Sequence, residues 1–362
     1  MVKLKETLEK EVSKMHPDPN VMQRTKTELA FAYKEEEIFW KHCSREQWLN
    51  TGERNTRYFH NCVKSRKVKN RILMLVDEEG DEQFSEGSKG QIAINYFREL
   101  FSSSKPQNLD SLLEGFEARL TPSMNEALTA PVLESEIKKA VFSIKGSRAP
   151  GADGFTSDFY QHFWSIVGPS VTAEIQKFFS SSSFPIEWNY TQICLIPKVK
   201  NPSKMSEMRP ISLCSVHYKI ISKIMCERLK KILPLIISDT QGAFVSGRVI
   251  TDNIIIAHEL IHALRTNDVV SKEFMAIKTD MSKAYDRVEW CFLERLMEKM
   301  GFDHRWIKWI SCCIRSVTYT VLLNEQSHGY IKPDRGLRQG DPLSSFLFIL
   351  CAEALVNVLN KA

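Results

Sequence analysis

Residues 274–281 read FMAIKTDM, four apolar residues in a row followed shortly by a carboxylate. A run without polar alternation suits a strand covered on both faces rather than one side of an open sheet. Such a strand needs helices around it, and Asp280 then sits at the sheet edge, aimed into a cleft. The rest of the chain mixes helical and β patterns without a regular βαβ beat. The expected class is therefore α+β.

Three divisions are expected along the chain. Residues 1–70 form a helical basic extension. Pro17 and Pro19 break it early, and residues 21–48 carry Leu29, Ala32, Tyr33, Ile38 and Phe39 at helical spacing. The stretch NTGERN (50–55) reads as a turn. Residues 71–120 hold a hairpin closed near Gly80, a helix to about Phe101, and a polar linker with a boundary in 102–120. Residues 121–362 hold helices over 134–144, 157–180, 217–236, 252–265, 287–300 and 303–316. Between them lie β-runs at 191–199 and 208–216, the strand 274–281, a hairpin in 317–335, and a last helix from Pro342.

Composition excludes few classes. The 362 residues are 43% hydrophobic and 26% charged, as in soluble globular proteins. A net charge of +5 suits a polyanionic partner without demanding one. None of the nine cysteines pairs as C-x-x-C, so reduced thiols in an intracellular protein are expected. The N-terminus lacks an apolar signal segment, so nuclear or cytoplasmic residence is expected rather than secretion. The most apolar run, 343–359, contains Glu353 and reads as a buried helix, with no membrane partner.

Several constellations carry chemistry. Asp280 is a candidate ligand for a hard cation, which wants oxygen donors. Asp286, six residues on, falls on the following helix and is given less weight; a strand-end cap is the plainer role for Asp280. In GLRQGDPLSSFLF (336–348), Gly336 and Gly340 admit a flat ligand, with Arg338 and Gln339 between them. Asp341 and Pro342 then start a helix whose N-terminus suits phosphate. In LIPKVKNPSKMSEMRPISL (195–213), Lys198, Lys200, Lys204 and Arg209 decorate a hairpin able to close over a triphosphate. KSRKVKNR (64–71) is the densest basic run, with Lys64, Arg66, Lys67, Lys69 and Arg71 placed to track phosphates or to form a solvated face. His258, Glu259 and His262 spell H-E-x-x-H, but no third ligand follows at zinc-protease spacing, so no zinc is expected.

Together these segments resemble the reverse transcriptases of LINE-type (non-LTR) retrotransposons, especially those of plants. APGADGF, LIPKVKNPSKMSEMRPISL, the stretch from ISKIMCERLKK through QGAFVSGR to HELIHALR, KTDMSKAYDRVEW and GLRQGDPLSSFLF occur in the family's order. WLNTGERNTRYFHNCVKSRK is similar to the segment such polyproteins carry before the polymerase.

The resemblance implies a right-hand polymerase fold, with fingers and a partial palm here. Asp280 falls on the first palm carboxylate, which with the Met281 carbonyl would bind Mg²⁺ or Mn²⁺. Tyr285 falls on the residue that screens the incoming sugar for a 2′-hydroxyl. Gln339 and Gly340 fall on the nucleotide and template pocket, and Lys198 and Arg209 on the finger cations that hold the triphosphate. Arg248 falls near the template backbone. The implied partners are an RNA template, a DNA primer and a dNTP.

The family's second carboxylate pair, an Ala-Asp-Asp hairpin, has no counterpart, since no Asp-Asp occurs in the sequence. The expectation is an RNA-directed DNA polymerase fragment, inactive by itself. Its rivals are a non-catalytic RNA- or DNA-binding remnant of a mobile element, an RNA-dependent RNA polymerase, a metalloprotease, and a decayed element without a selected role.

Overall fold

The computed structural model describes residues 1–44 and 56–361, so the expected turn at 50–55 lies outside the described residues. The chain divides into two compact units, Met1–Arg71 and Ile72–Ala362. The first is helical: α1 (Val2–Val12), α2 (Pro19–Ser44) and α3 (Thr56–Asn70). Pro19 takes the first position of α2, where a missing N–H costs nothing, and the Asp18 carboxylate accepts from the Asn20 amide at 2.8 Å.

The second unit is α+β. It opens with a short hairpin, β1 (Leu75–Val76) and β2 (Glu82–Gln83), turning at Gly80, whose φ is +94°. Then come α4 (Glu86–Leu100), α5 (Leu109–Leu112), α6 (Pro122–Thr129), α7 (Glu134–Ser143), α8 (Ser157–His162), α9 (Trp164–Ser181) and α10 (Ile186–Asn189). The helix expected over 157–180 is thus two helices, separated at Phe163. Strands β3 (Tyr190–Pro197) and β4 (Met208–Leu213) form the expected antiparallel hairpin. Helix α11 (Val216–Ile236) follows, capped by the Ser215 hydroxyl, which accepts from Tyr218 N at 3.2 Å. Next are α12 (Ile250–Thr266), α13 (Asp268–Glu273), α14 (Trp290–Met300) and α15 (His304–Arg315). Strands β5 (Thr318–Leu323) and β6 (Gln326–Ile331) form a second hairpin, and α16 (Pro342–Lys361) closes the chain.

The four-stranded sheet runs β4-β3-β5-β6, with β3 and β5 parallel and both hairpins antiparallel. Buried residues from Ile72 to Ala354 form one apolar core, which includes Phe101, Leu113 and Phe116. Residues 102–120, expected to link two divisions, therefore run along a single core. Their serines and asparagine lie at the surface while Leu113 and Phe116 insert. Arg119 bonds Glu353 at 2.6 Å and the Ile236 carbonyl at 2.7 Å, which fastens this stretch to α16 and to the end of α11. Helix α16 is long and apolar enough to cross a membrane by length and composition alone. Here it packs along α11 and α14, burying Leu343, Leu347, Leu350 and Ala354.

One expectation from sequence is corrected. Residues 274–281 form no strand; they run as an exposed segment, with Met275 at 80% and Ile277 at 74% exposure. A strand exists only where a neighbouring edge takes its N–H and C=O groups. Among the described residues no strand pairs with this one. Helix α12 shares its situation: it buries no residue and leaves Ile254, Ile255, Ile256 and Leu260 exposed.

Candidate functional site

The turn that enters α16 is built by close approach. Gly336 has φ +98°, and a Cβ there would meet the Asp286 carbonyl oxygen at 2.8 Å, so no larger residue fits. The turn is pinned by Gly336 N donating to Val288 O and Leu337 N donating to Tyr285 O, both at 2.8 Å. Trp290 Nε1 donates to Gly336 O at 2.8 Å. Gln339 O accepts from Ser212 N at 2.9 Å, which ties the turn to the end of β4.

The side chains of this turn face opposite ways. Arg338, read from sequence as a ligand-facing charge, points into the core. Its guanidinium lies 3.9 Å over the Tyr218 ring and donates to Cys313 O at 3.0 Å and to Asn189 Oδ1. Stacking on an aromatic face and filling two acceptors suits a weakly hydrated guanidinium. Asp341 accepts from Tyr218 Oη at 2.6 Å, from Ser222 Oγ, and from Leu343 N at 3.2 Å, so it caps α16 and locks it to α11. Burial raises the Tyr218 hydroxyl's pKa well above its usual value, so it serves as a donor.

Gln339 and Gly340 instead line an open cavity of about 620 Å³. Its other walls hold Lys198 beyond β3, Arg209 on β4, Arg148 in the loop after α7, and Lys283, Tyr285 and Ser345. Tyr285 stacks on Phe348 with ring centroids 5.0 Å apart and reaches Ser345 Oγ at 3.4 Å. Lys198 Nζ donates to Ser206 O at 3.1 Å. Asp286 lies behind the wall, buried, and accepts from Gln339 Nε2 at 3.1 and 3.3 Å. Burial raises its carboxyl pKa, against the lowering effect of Lys283, the Gln339 hydrogen bond, Lys198 and Arg287.

The structure thus brings Lys198, Arg209, Tyr285, Gln339 and Gly340 to one cavity. It does not bring Asp280 or Met281 there; both are exposed on the segment that forms no strand. Arg248 is corrected more sharply. Its guanidinium donates to the carbonyls of Ser238, Gln241, Ile237 and Pro234 and pairs with Asp239 at 3.2 Å. The carbonyls left open at the end of α11 need donors, and Arg248 fills that need. In the first unit, Lys64, Lys67, Lys69 and Arg71 are exposed on and after α3, while Arg66 donates to Ser44 O at 2.8 Å. His258, Glu259 and His262 lie exposed on α12. Among the described residues no three His, Cys, Asp or Glu side chains gather where a metal ion would fit.

Sequence reasoning missed Arg148 and Lys283 and ranked Asp286 too low. A basic residue beside Pro150 and Gly151 was a weak signal for the first. Placing Asp286 on a helix hid the last; it lies in a 3₁₀ turn, Tyr285–Arg287.

Residues 196–362 match the family described as reverse transcriptase (RNA-dependent DNA polymerase). The chain is 28% identical over 320 residues to the "Transposon TX1 uncharacterized 149 kDa protein" of Xenopus laevis, covering 88% of this chain and 24% of that protein. It is 27% identical over 233 residues to the Pol polyprotein of the type-1 retrotransposable element R2 of Popillia japonica, covering 64% of this chain and 31% of that one. Residues 196–362 thus resemble a reverse transcriptase domain, and the chain is similar to proteins of non-LTR retrotransposons. It spans about a quarter to a third of the length of these two relatives. A 41-residue stretch is 51% identical to an uncharacterized mitochondrial protein of Arabidopsis thaliana. All the cavity residues named above except Arg148 fall within the reverse transcriptase domain.

Reverse transcriptases in general use a divalent metal ion. Such an ion needs carboxylates together with phosphate oxygens. Asp280 stands exposed and apart from the cavity, and Asp286 is spent on Gln339, so the residues present do not by themselves compose a metal site.

Proposed function

We propose that the second unit is the fingers and part of the palm of an RNA-directed DNA polymerase, and that its cavity receives the incoming dNTP. The observation that carries this reading is one cavity of nucleotide size with Lys198 and Arg209 on one wall and Tyr285, Gln339 and Gly340 on another. Cations on the hairpin side offer charge-assisted bonds to a triphosphate. A half-buried aromatic ring beside a glycine turn offers a flat bed for sugar or base. In this reading the Tyr285 ring, held by Phe348, excludes a 2′-hydroxyl by simple collision. RNA template and DNA primer are the proposed partners.

The test is equilibrium binding of dTTP to the full chain. Lys198→Ala and Arg209→Ala are each expected to weaken it by about tenfold, the size of one charged hydrogen bond. Tyr285→Ala is expected to narrow the gap between dTTP and UTP. Equal binding of dTTP by all four proteins defeats the reading.

By the family resemblance, Asp280 and the Met281 carbonyl would hold a divalent metal ion only together with further carboxylates. Without a second family carboxylate in these 362 residues, primer extension by this chain is expected to give no incorporation. Incorporation that Asp280→Ala abolishes would overturn that expectation.

The exposed basic side chains of α3 favour a second role beside the first, as a nucleic-acid-binding surface. Binding to an RNA–DNA hybrid should then weaken steeply with salt, and the slope should flatten when Lys64, Lys67 and Lys69 are neutralised.

A further inference from the structure

The loop over residues 145–155 joins α7 to α8 and belongs to neither hairpin of the sheet, yet its Arg148 lines the same cavity as Lys198 and Arg209. Arg148 is exposed and has no ion pair among the described residues, so its charge is uncommitted. A lone arginine on a slack loop would mean little; this loop has two internal turns and two anchors to the start of α11. Arg148 N donates to Lys145 O, and Gly154 N to Gly151 O, each at 3.1 Å, so the backbone turns on both sides of the Pro150 corner. Lys219, on the first turns of α11, donates its Nζ to Ala149 O at 3.0 Å. Gly151 lies so close to the start of α11 that a Cβ there would meet the Cys214 carbonyl carbon and Ser215 N at 2.7 Å.

These anchors connect to the rest of the cavity. Residues 212–219 hold the loop through Gly151 and Lys219, and hold the Gln339 turn through Ser212 N. One short stretch of chain thus fixes Arg148 relative to Gln339 and, across β4, relative to Arg209. Burial lowers the Lys219 amine's pKa from its ordinary value, as expected for a lysine used as an internal strut.

Resting on the nucleotide reading above, we propose that Arg148 is a third cation for the nucleotide's polyphosphate, presented by a loop that Lys219 and Gly151 clamp to the start of α11. Arg148 touches the ligand; Lys219 and Gly151 are positioning residues. A guanidinium can take two phosphate oxygens at once, and Arg148 brings a second one, beside that of Arg209, from a loop outside the sheet.

The experiment is calorimetric binding of inorganic tripolyphosphate and of dTTP to the full chain at low salt. Arg148→Ala should weaken both by about tenfold. It should also flatten the salt dependence of binding, because one phosphate contact is lost. Arg148→Lys should recover part of the affinity, since charge remains but the fork is gone. Lys219→Met never meets the ligand, and should weaken tripolyphosphate several-fold while leaving binding to an RNA–DNA hybrid unchanged. Tripolyphosphate affinity in Arg148→Ala equal to wild type, alongside losses in Lys198→Ala and Arg209→Ala, overturns the inference and leaves the nucleotide reading standing. Binding of neither ligand by the wild type overturns both. Should Arg148→Ala melt earlier than wild type, Arg148→Gln keeps most of the side chain's length and is judged by the same comparison.

Discussion

Gln339 donates its side-chain amide to both carboxylate oxygens of Asp286, at 3.1 and 3.3 Å. A carboxylate only accepts, so the amide nitrogen is committed inward and Gln339 Oε1 is left as the free acceptor of that side chain. The pair thus sets which chemistry Gln339 offers to the cavity.

Replacing Asp286 should therefore change ligand binding without touching ligand. Asp286→Ala frees the Gln339 amide and is expected to weaken dTTP binding several-fold. The pH dependence has a definite sign. The folded carboxyl titrates above its unfolded value, so ionising it costs more in the folded state. As pH rises from about 4 through the raised folded value, wild type should lose stability relative to Asp286→Asn, and the gap should stay level above that. Urea midpoints measured across that window check it; a constant difference contradicts it.

Arg248 caps the carbonyls at and just after the end of α11. Arg248→Ala leaves several carbonyls without a donor and should cost about 2 kcal/mol of unfolding free energy. Affinity for an RNA–DNA hybrid should not change. Unchanged stability with weaker hybrid binding would restore the reading drawn from sequence.

Glu289 fastens three segments. It accepts from Ser103 Oγ at 2.6 Å, from Ser104 N at 2.9 Å and from Arg335 Nη1 at 3.2 Å. Burial raises its pKa, but these hydrogen bonds from Ser103, Ser104 and Arg335 outweigh burial and leave it lowered. The stability it contributes is present above the unfolded value of about 4.3 and is lost as pH falls through the lower folded one. Glu289→Gln should cost about 2 kcal/mol near neutrality and show a smaller loss toward acid. Thermal melts of both proteins from neutral to acid test this.

Helices α11 and α12 should differ in hydrogen exchange. Helix α11 is buried along its length; α12 buries nothing, and Asn253 Nδ2 ties its first turn to Thr240 O at 3.2 Å. A helix in a protein draws most of its stability from a packed face, which α12 lacks. Amides of α12 should exchange by local fraying, and the central amides of α11 only at rates set by global unfolding. Comparable protection in the two would mean that α12 is covered in solution.

Much of the scaffold was legible because its signals are local. Strands β3 and β4, the β5–β6 hairpin and α16 follow from apolar runs bounded by turn residues and from Pro342 at a helix start. Asp341 could be recognised as a helix start by its place before Pro342. The residues that converge on the cavity were legible for a different reason: they lie in motifs whose order resembles a known family, which no periodicity supplies.

What the letters could not fix is where each side chain turns and which edges find partners. FMAIK is as apolar as any strand in the sheet, but strand formation depends on a neighbour's unpaired backbone, which lies far away in sequence. Arg338 and Arg248 look like ligand-facing charges as letters; only the folded chain reveals that Tyr218 lies beneath one and a helix's open carbonyls beneath the other. Sequence alone determined most of the helices, the two hairpins of the sheet and the family resemblance. Tertiary packing decided which cations stayed free, because a charge faces a ligand only when no carbonyl, ring or carboxylate of its own chain has claimed it first.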